Sequence, residues 1–301
     1  MVIAGLMFFI FRNNDVSVNR TCSNLAEQDD TVGVYKNIPY GGKERNLFDV
    51  YIPAAADKRD EHALILFLHG GSWTSGDKSS MAEDCRLFAE RGYVTATMNY
   101  SFLNMNGEEK SDFTTMMTEI SQALSAIKSY AAAQGVNVTK AALAGYSAGA
   151  HLALLYSYSM ADNSPLPVLF VHSKAGPADF RTFSPESPDV QEFMGKMGVG
   201  NDKQSVQELF NSEKIVNMIQ AVSPVSYVKK GGVAAILSYG RKDSLVVWEN
   251  VASMMNALDV AGVEYTLVEY PTSAHGLDKD ADSAQRSVEV MLDYAKKYFE
   301  Y

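Results

Sequence analysis

The stretch LAGYSAGAHLALL, residues 143–155, carries one serine, Ser147, in a turn built of glycine and alanine. The apolar run KAALAG (140–145) leads into the turn, and a second apolar run leaves it with no spacer. The first run has strand length and the second, continuing to residue 160, has helix length, so the serine stands where a strand turns directly into a helix. A turn this sharp forces strained backbone geometry on its central residue, and small neighbours leave room for that. Gly145-Tyr146-Ser147-Ala148-Gly149 is therefore a G-x-S-x-G turn. It holds Oγ clear of the sheet, with a helix N-terminus aiming N–H groups at any anion formed beside it. A bare G-x-S-x-G arises often by chance, and the plain alternative is a turn that happens to contain serine. The strand before it and the helix after it weigh against that alternative.

Outward from this turn, apolar runs alternate with amphipathic ones from residue 46. NLFDVYI (46–52), ALILFLH (63–69), YVTATM (93–98), LPVLFVH (166–172), VAAILSY (233–239) and EYTLVEY (264–270) read as strands. ALILFLH is unbroken, as suits a sheet covered on both faces. Helices are predicted over 80–91, 111–133, 148–160, 244–261 and 281–299. The second of these repeats Phe113, Met117, Ile120, Leu124, Ile127 and Ala131 along one helical face. Alternating strands and helices predict an α/β fold: a mostly parallel twisted sheet with helices on both faces. Residues 185–220 break the rhythm and are expected to form a small lid-like insertion over the sheet edge. No repeat or low-complexity linker divides the chain. Its 301 residues suffice for one large core, and residues 31–301 are taken as that domain.

Composition narrows the functional classes. An apolar content of 47% and a charged content of 21% are those of an ordinary globular protein. The net charge of −10 comes with no Lys/Arg run, so no nucleic-acid partner is expected. Two cysteines, Cys22 and Cys85, with no CxxC pair and only five histidines make a structural zinc site an unsuitable reading. No metal and no cofactor is expected. Cys85, in an amphipathic run, reads as a buried thiol; pairing with Cys22 is the alternative. Residues 1–30 stand apart. MVIAGLMFFIF (1–11) is apolar but shorter than the ~20 residues that span a bilayer. It also lacks a basic stretch before it and an A-x-A site after it. It reads equally as a residual export signal or as a segment packed on the domain. Localisation therefore stays open between cytoplasmic and exported, and no membrane association is expected beyond such a signal.

In sheets of this class ligands bind beyond the carboxyl ends of the strands. There, ALILFL is followed by HGGSW, AALA by GYSAG, AAILSYG by RKD and YTLVEYP by TSAHG. Four strand ends thus bring a glycine turn, a serine, an aspartate and a histidine to one rim. A serine hydroxyl is a poor nucleophile until a base takes its proton. Of the five histidines, His275 lies in a loop of small residues after the penultimate element and is the expected base, with His172 as its rival. His62 precedes a strand, His69 is expected to brace the HGG loop, and His151 points down the helix after Ser147 and reads as packing. Asp243 is the expected acid partner, giving the order Ser…Asp…His that accompanies this turn. Its competing role is a helix N-cap, which Ser244 could take instead; Asp179 is the second candidate acid. Backbone N–H groups of Gly71, Ser72 and Ala148 are expected to meet the negative oxygen of a tetrahedral intermediate. Trp73, Tyr146 and Trp248 stand beside this rim as candidate substrate contacts, against the packing role that large aromatics usually fill.

These pieces, in order, are LFLHGGSWTSGDK, VTATMNYS, LAGYSAGAHLALL, SPVSYV, YGRKDSLV and SAHGL, spread over about residues 35–300. In them the chain resembles the α/β-hydrolases of the carboxylesterase branch with an HGG-type oxyanion loop. It is similar to bacterial esterases related to hormone-sensitive lipase and to feruloyl esterase-like and acetyl esterase-like enzymes. The resemblance implies nucleophile Ser147, acid Asp243, base His275 and an oxyanion hole at Gly71, Ser72 and Ala148. Two departures matter. Ser72 stands at the third position of an HGGG-type loop, which keeps a backbone donor but narrows the pocket. The long N-terminal cap of hormone-sensitive lipase relatives is missing, which favours the smaller feruloyl esterase-like group. The expected activity is hydrolysis of short-chain acyl esters, carbohydrate-linked acetyl or feruloyl esters included, through an acyl-enzyme. The partner is a small-molecule ester. An arylformamidase or a small prolyl oligopeptidase-like peptidase is the alternative enzyme, and a non-catalytic binding protein on the same fold is the alternative of another class.

Overall fold

Apolar runs bounded by turns form the centre of a nine-stranded sheet in the computed structural model. It describes residues 27–29, 31–54, 56, 61–103, 111–183, 186–188, 190, 191, 195 and 213–299. The strands are β1 (Glu27–Asp29), β2 (Val32–Pro39), β3 (Leu47–Pro53), β4 (His62–Leu68), β5 (Val94–Met98), β6 (Val138–Tyr146), β7 (Val168–Lys174), β8 (Ala234–Gly240) and β9 (Tyr265–Tyr270). Their spatial order is β1-β2-β3-β5-β4-β6-β7-β8-β9. The first three strands pair antiparallel and β3 meets β5 antiparallel, after which every pairing from β5 to β9 is parallel. All seven residues of β4 are buried, as its unbroken apolar run requires.

The helices are α1 (Ala82–Ala89), α2 (Phe113–Ala133), α3 (Ala148–Ser159), α4 (Glu213–Val222), α5 (Trp248–Ala261) and α6 (Ala281–Phe299). Alternate residues of β4 face opposite sides, and the core divides with them. Leu64, Leu66 and Leu68 pack with α2, α3 and α5, whereas Ala63, Ile65 and Phe67 pack with α1 and α6. The six apolar residues that predict α2 are all buried. Asp112 starts that helix by accepting a hydrogen bond from the Thr115 N–H at 2.8 Å.

Three boundaries differ from expectation. Strands β1 and β2 were not foreseen: Asn37 has φ of 57° and the register shifts between Tyr35 and Ile38, so the alternation that marks a strand is broken there. Residues 27–29 pair in the sheet, so the domain begins before residue 31. Helix α5 starts at Trp248, behind Val247, and not at Ser244; residues 244–247 turn around Asp243 instead, so Ser244 caps no helix. The apolar run 1–11 and Cys22 lie outside the described residues, as does most of 185–212. Cys85 is a buried free thiol, and burial pushes its pKa up. Among the described residues no helix is long and apolar enough to cross a membrane, and no cluster of three or more His, Cys, Asp or Glu is arranged to hold a metal.

Candidate active site

Ser147 sits between the end of β6 and the start of α3 with φ 52° and ψ −117°. A residue with a side chain holds such angles only where its surroundings over-determine them. Its N–H donates to the Lys174 carbonyl at 2.8 Å, and its carbonyl accepts from the His151 N–H at 2.9 Å. The small neighbours are sterically required. A β-carbon on Gly145 would lie 2.5 Å from the Gly149 carbonyl, and one on Gly149 would lie 2.1 Å from the Leu68 oxygen.

His275 comes to this serine from the loop after β9. Its Nε2 is 2.8 Å from Ser147 Oγ. Its Nδ1 is 2.8 Å from Asp243 Oδ2. The other oxygen of Asp243 accepts from the N–H groups of Leu245 and Val246, both at 2.9 Å. The carboxylate side chain is fully buried while that of His275 is a quarter exposed. The aspartate is thus locked in orientation, and with it the imidazole. The two loops are stitched together: the Lys242 N–H donates to the Ser273 carbonyl at 3.0 Å. A β-carbon on Gly240 would strike the Ser273 and Ala274 carbonyls at 2.5 Å.

Asp280, which the sequence reading did not single out, anchors the same loop. Its carboxylate accepts from the N–H groups of Thr272 and Ser273 and from both their hydroxyls, at 2.6–3.2 Å. Burial alone would raise its pKa, yet those hydrogen bonds outweigh it and hold the carboxyl below its usual range. The signal in the sequence was the pair Thr272-Ser273 followed by an acid one loop later, a pattern too common to stand out.

The HGG loop crosses beside the serine. Gly71, Ser72 and Trp73 have φ of 122°, 50° and 59°, three successive residues in the left-handed half of backbone space. The Gly71 carbonyl accepts from the N–H groups of Thr74 and Ser75 at 3.0 Å. A β-carbon on Gly70 would be 3.5 Å from Ser147 Cβ, so loop and serine are in close approach. Ala148 is the first residue of α3, and its N–H is one that a helix leaves without an intrahelical acceptor. His69 stacks on Tyr100 with ring centroids 4.3 Å apart, and its Nδ1–H donates to the Gly70 carbonyl at 2.7 Å. Arg45 donates to the Gly76 carbonyl at 2.6 Å, where the loop ends. Burial first, and the nearby Arg45 charge, push the His69 pKa down to about 4, so the ring is neutral and can serve as an acceptor for Arg45.

The rival residues lie elsewhere. His172, on β7, is buried between the sheet and α6, bonded to Ser238 and Ser287, and desolvation keeps it neutral. Asp179 is held by Arg181 and Ser253. His62 bonds the Ala56 carbonyl. Trp73 is 5% exposed and packs edge-on against Phe113 and His151, so its ring carries the packing role in this arrangement. Trp248 is half-buried under the Arg241 guanidinium, 3.4 Å from its ring centroid. Tyr146 is half-buried and donates to the His275 carbonyl at 3.0 Å. It also forms a wall of a cavity of about 390 Å³, shared with Gly70, Lys174, Tyr270 and Gly276.

Known proteins share this architecture. Over 265 residues the chain is 26% identical to esterase LipQ of Mycobacterium tuberculosis, covering 86% of this chain and 61% of LipQ. Over 120 residues it is 33% identical to a probable isoprenylcysteine alpha-carbonyl methylesterase of Oryza sativa subsp. japonica, covering 40% of this chain. The chain spans only about a quarter of that rice protein's length (27%). A solved structure of a thermophilic esterase from Thermogutta terrifontis superposes with a TM-score of 0.66 at 22% identity, covering 86% of this chain and 91% of the other, which fixes the fold as that of the α/β-hydrolases. The family model BD-FAE matches residues 48–258, a span that contains the HGG loop, Ser147 and Asp243, and the chain therefore belongs to the BD-FAE family of α/β-hydrolase proteins.

Proposed function

We propose that the protein is a serine carboxylic-ester hydrolase acting on short-chain acyl esters, carbohydrate-linked acetyl and feruloyl esters among them. The observation that carries this reading is the unbroken line Ser147–His275–Asp243, joined by two contacts of 2.8 Å. His275 Nε2 takes the Ser147 proton as Oγ attacks the ester carbonyl carbon. The oxyanion is held by N–H groups of Gly71, Ser72 and Ala148. Asp243, fixed by Leu245 and Val246, stabilises the imidazolium. His275 then protonates the departing alcohol, leaving an acyl-serine. Water, deprotonated by the same imidazole, attacks that acyl group and releases the acid and free Ser147.

Ser147→Ala is expected to fold normally and to lose about ten-thousand-fold or more in p-nitrophenyl acetate turnover, the residue of activity coming from substrate binding and the oxyanion donors. Unchanged turnover would remove Ser147 from the mechanism. Esters from acetyl to decanoyl, with feruloyl and acetyl sugar esters, N-formylkynurenine and Xaa-Pro amides beside them, separate the esterase from a formamidase or peptidase. Turnover confined to the amides would overturn the esterase reading. Labelling of Ser147 by a fluorophosphonate separates an enzyme from a binding protein on the same fold.

A further inference from the structure

His151 lies one turn after Ser147 on α3, and both nitrogens of its imidazole are engaged away from the Ser147 hydroxyl. The indole N–H of Trp73 donates to its Nδ1 at 3.1 Å. Its own Nε2–H donates to the Val222 carbonyl, where α4 ends, at 2.8 Å. The ring is fully buried, with Trp73, Phe113 and Phe180 set against it at centroid distances of 5.1–5.2 Å and near-perpendicular angles. Burial pushes its pKa down to about 4, which keeps Nδ1 free of a proton and able to accept.

The two ends of this contact matter for the proposed chemistry. Trp73 directly follows Ser72, and both hold positive φ in a loop that L residues adopt only when held. His151 belongs to the same helical turn as Ala148, and its N–H bonds the Ser147 carbonyl. The Trp73–His151 hydrogen bond therefore ties the loop that carries the Gly71 and Ser72 donors to the helix that carries the Ala148 donor.

We infer that His151 is a positioning residue: through Trp73 it sets the spacing between the two halves of the oxyanion hole. This rests on the serine hydrolase reading above. Misplacing aligned groups by about 1 Å can cost 10²-fold in rate. Trp73→Phe, which keeps a ring but removes the N–H, and His151→Leu are each expected to lower kcat roughly 10- to 100-fold with little change in KM. His151→Gln, whose amide can both accept from Trp73 and donate to Val222, is expected to recover most of the loss. The double variant Trp73→Phe with His151→Leu should be no slower than the slower single variant, because both remove one contact. The chain has two tryptophans, so Trp73→Phe assigns the Trp73 indole proton by NMR. That resonance should shift in His151→Leu and stay in place in His151→Gln.

Full kcat in folded Trp73→Phe would overturn the inference. So would losses that multiply in the double variant, or a His151→Gln protein as slow as His151→Leu. If His151→Leu does not fold, Trp73→Phe and His151→Gln still decide the matter. Ser147→Ala keeps the two levels apart. Loss of turnover in Ser147→Ala with full kcat in the His151 and Trp73 variants defeats only the positioning role. Retained turnover in Ser147→Ala defeats the hydrolase reading itself.

Discussion

At Gly149 the space for a side chain ends at hydrogen. The Leu68 oxygen would stand 2.1 Å from an added β-carbon, and neither atom belongs to a flexible group. Gly149→Ala must push α3 away from the end of β4, a cost of about 1–3 kcal/mol or more. Urea unfolding should show that loss, and turnover should fall with it because Ser147 and Ala148 move together. A variant as stable as the parent would mean that the helix start is more yielding than its contacts imply. The small residues around Ser147 were legible in the sequence for this reason: steric exclusion acts between near neighbours, and a short motif records it. Asp243 and His275 were legible because each closes a strand pattern. The position of Trp73 after the HGG loop makes it a candidate substrate contact with packing as the commoner role, and its burial depends on α2 and on residue 180, which no local pattern connects to it.

At the scale of the element, the loop from Thr272 to Asp280 holds His275, the proposed base, on a segment of small residues. One carboxylate gathers two backbone N–H groups and two hydroxyls. Asp280→Ala releases them together, so amide exchange at Thr272 and Ser273 should accelerate and kcat should fall several-fold while the rest of the sheet keeps its protection. Unaltered exchange at those two amides would show that the Lys242–Ser273 contact alone suffices. The sign of the pH effect follows from the depressed pKa: the loop keeps this anchor above the ordinary carboxylate range and loses it as pH falls through the lower value of the folded state. The late start of α5 belongs to the same scale. Periodicity located the helix but could not register that the residues before it turn around a carboxylate.

Over the whole molecule, buried neutral histidines set an acid limit. His69 and His151 have pKa values near 4 in the folded chain, depressed chiefly by burial, against 6.5 when unfolded. The unfolded chain therefore binds protons that the folded one refuses. Stability is fully present above about pH 6.5, declines as pH falls towards 4, and levels off below it for these two groups. The slope reaches up to about 2.7 kcal/mol per pH unit for the pair. Unfolding free energy measured from pH 7 to pH 4 should show this decline, and His151→Gln should make it shallower by removing one of the depressed groups; a flat profile would contradict the burial-driven depression of both rings. The parallel core of the sheet was legible because unbroken apolar runs record burial on two sides. The antiparallel edge was not, because β2 carries a bulge and a left-handed Asn37 that erase its alternation.

The order in which the chain is made has a consequence of its own. Ser147 and the HGG loop lie in the first half of the sequence, whereas Asp243 and His275 arrive on β8, β9 and their loops, at the far edge of the sheet. A ribosome that has released residues up to 230 has exposed Ser147 and the HGG segment, but neither Asp243 nor His275, the proposed acid and base. Since domains generally assemble as units from the N-terminal end during synthesis, the nascent chain carries an unactivated hydroxyl until its last two strands dock. In the proposed hydrolase, competence to attack an ester is in this way tied to completion of the fold.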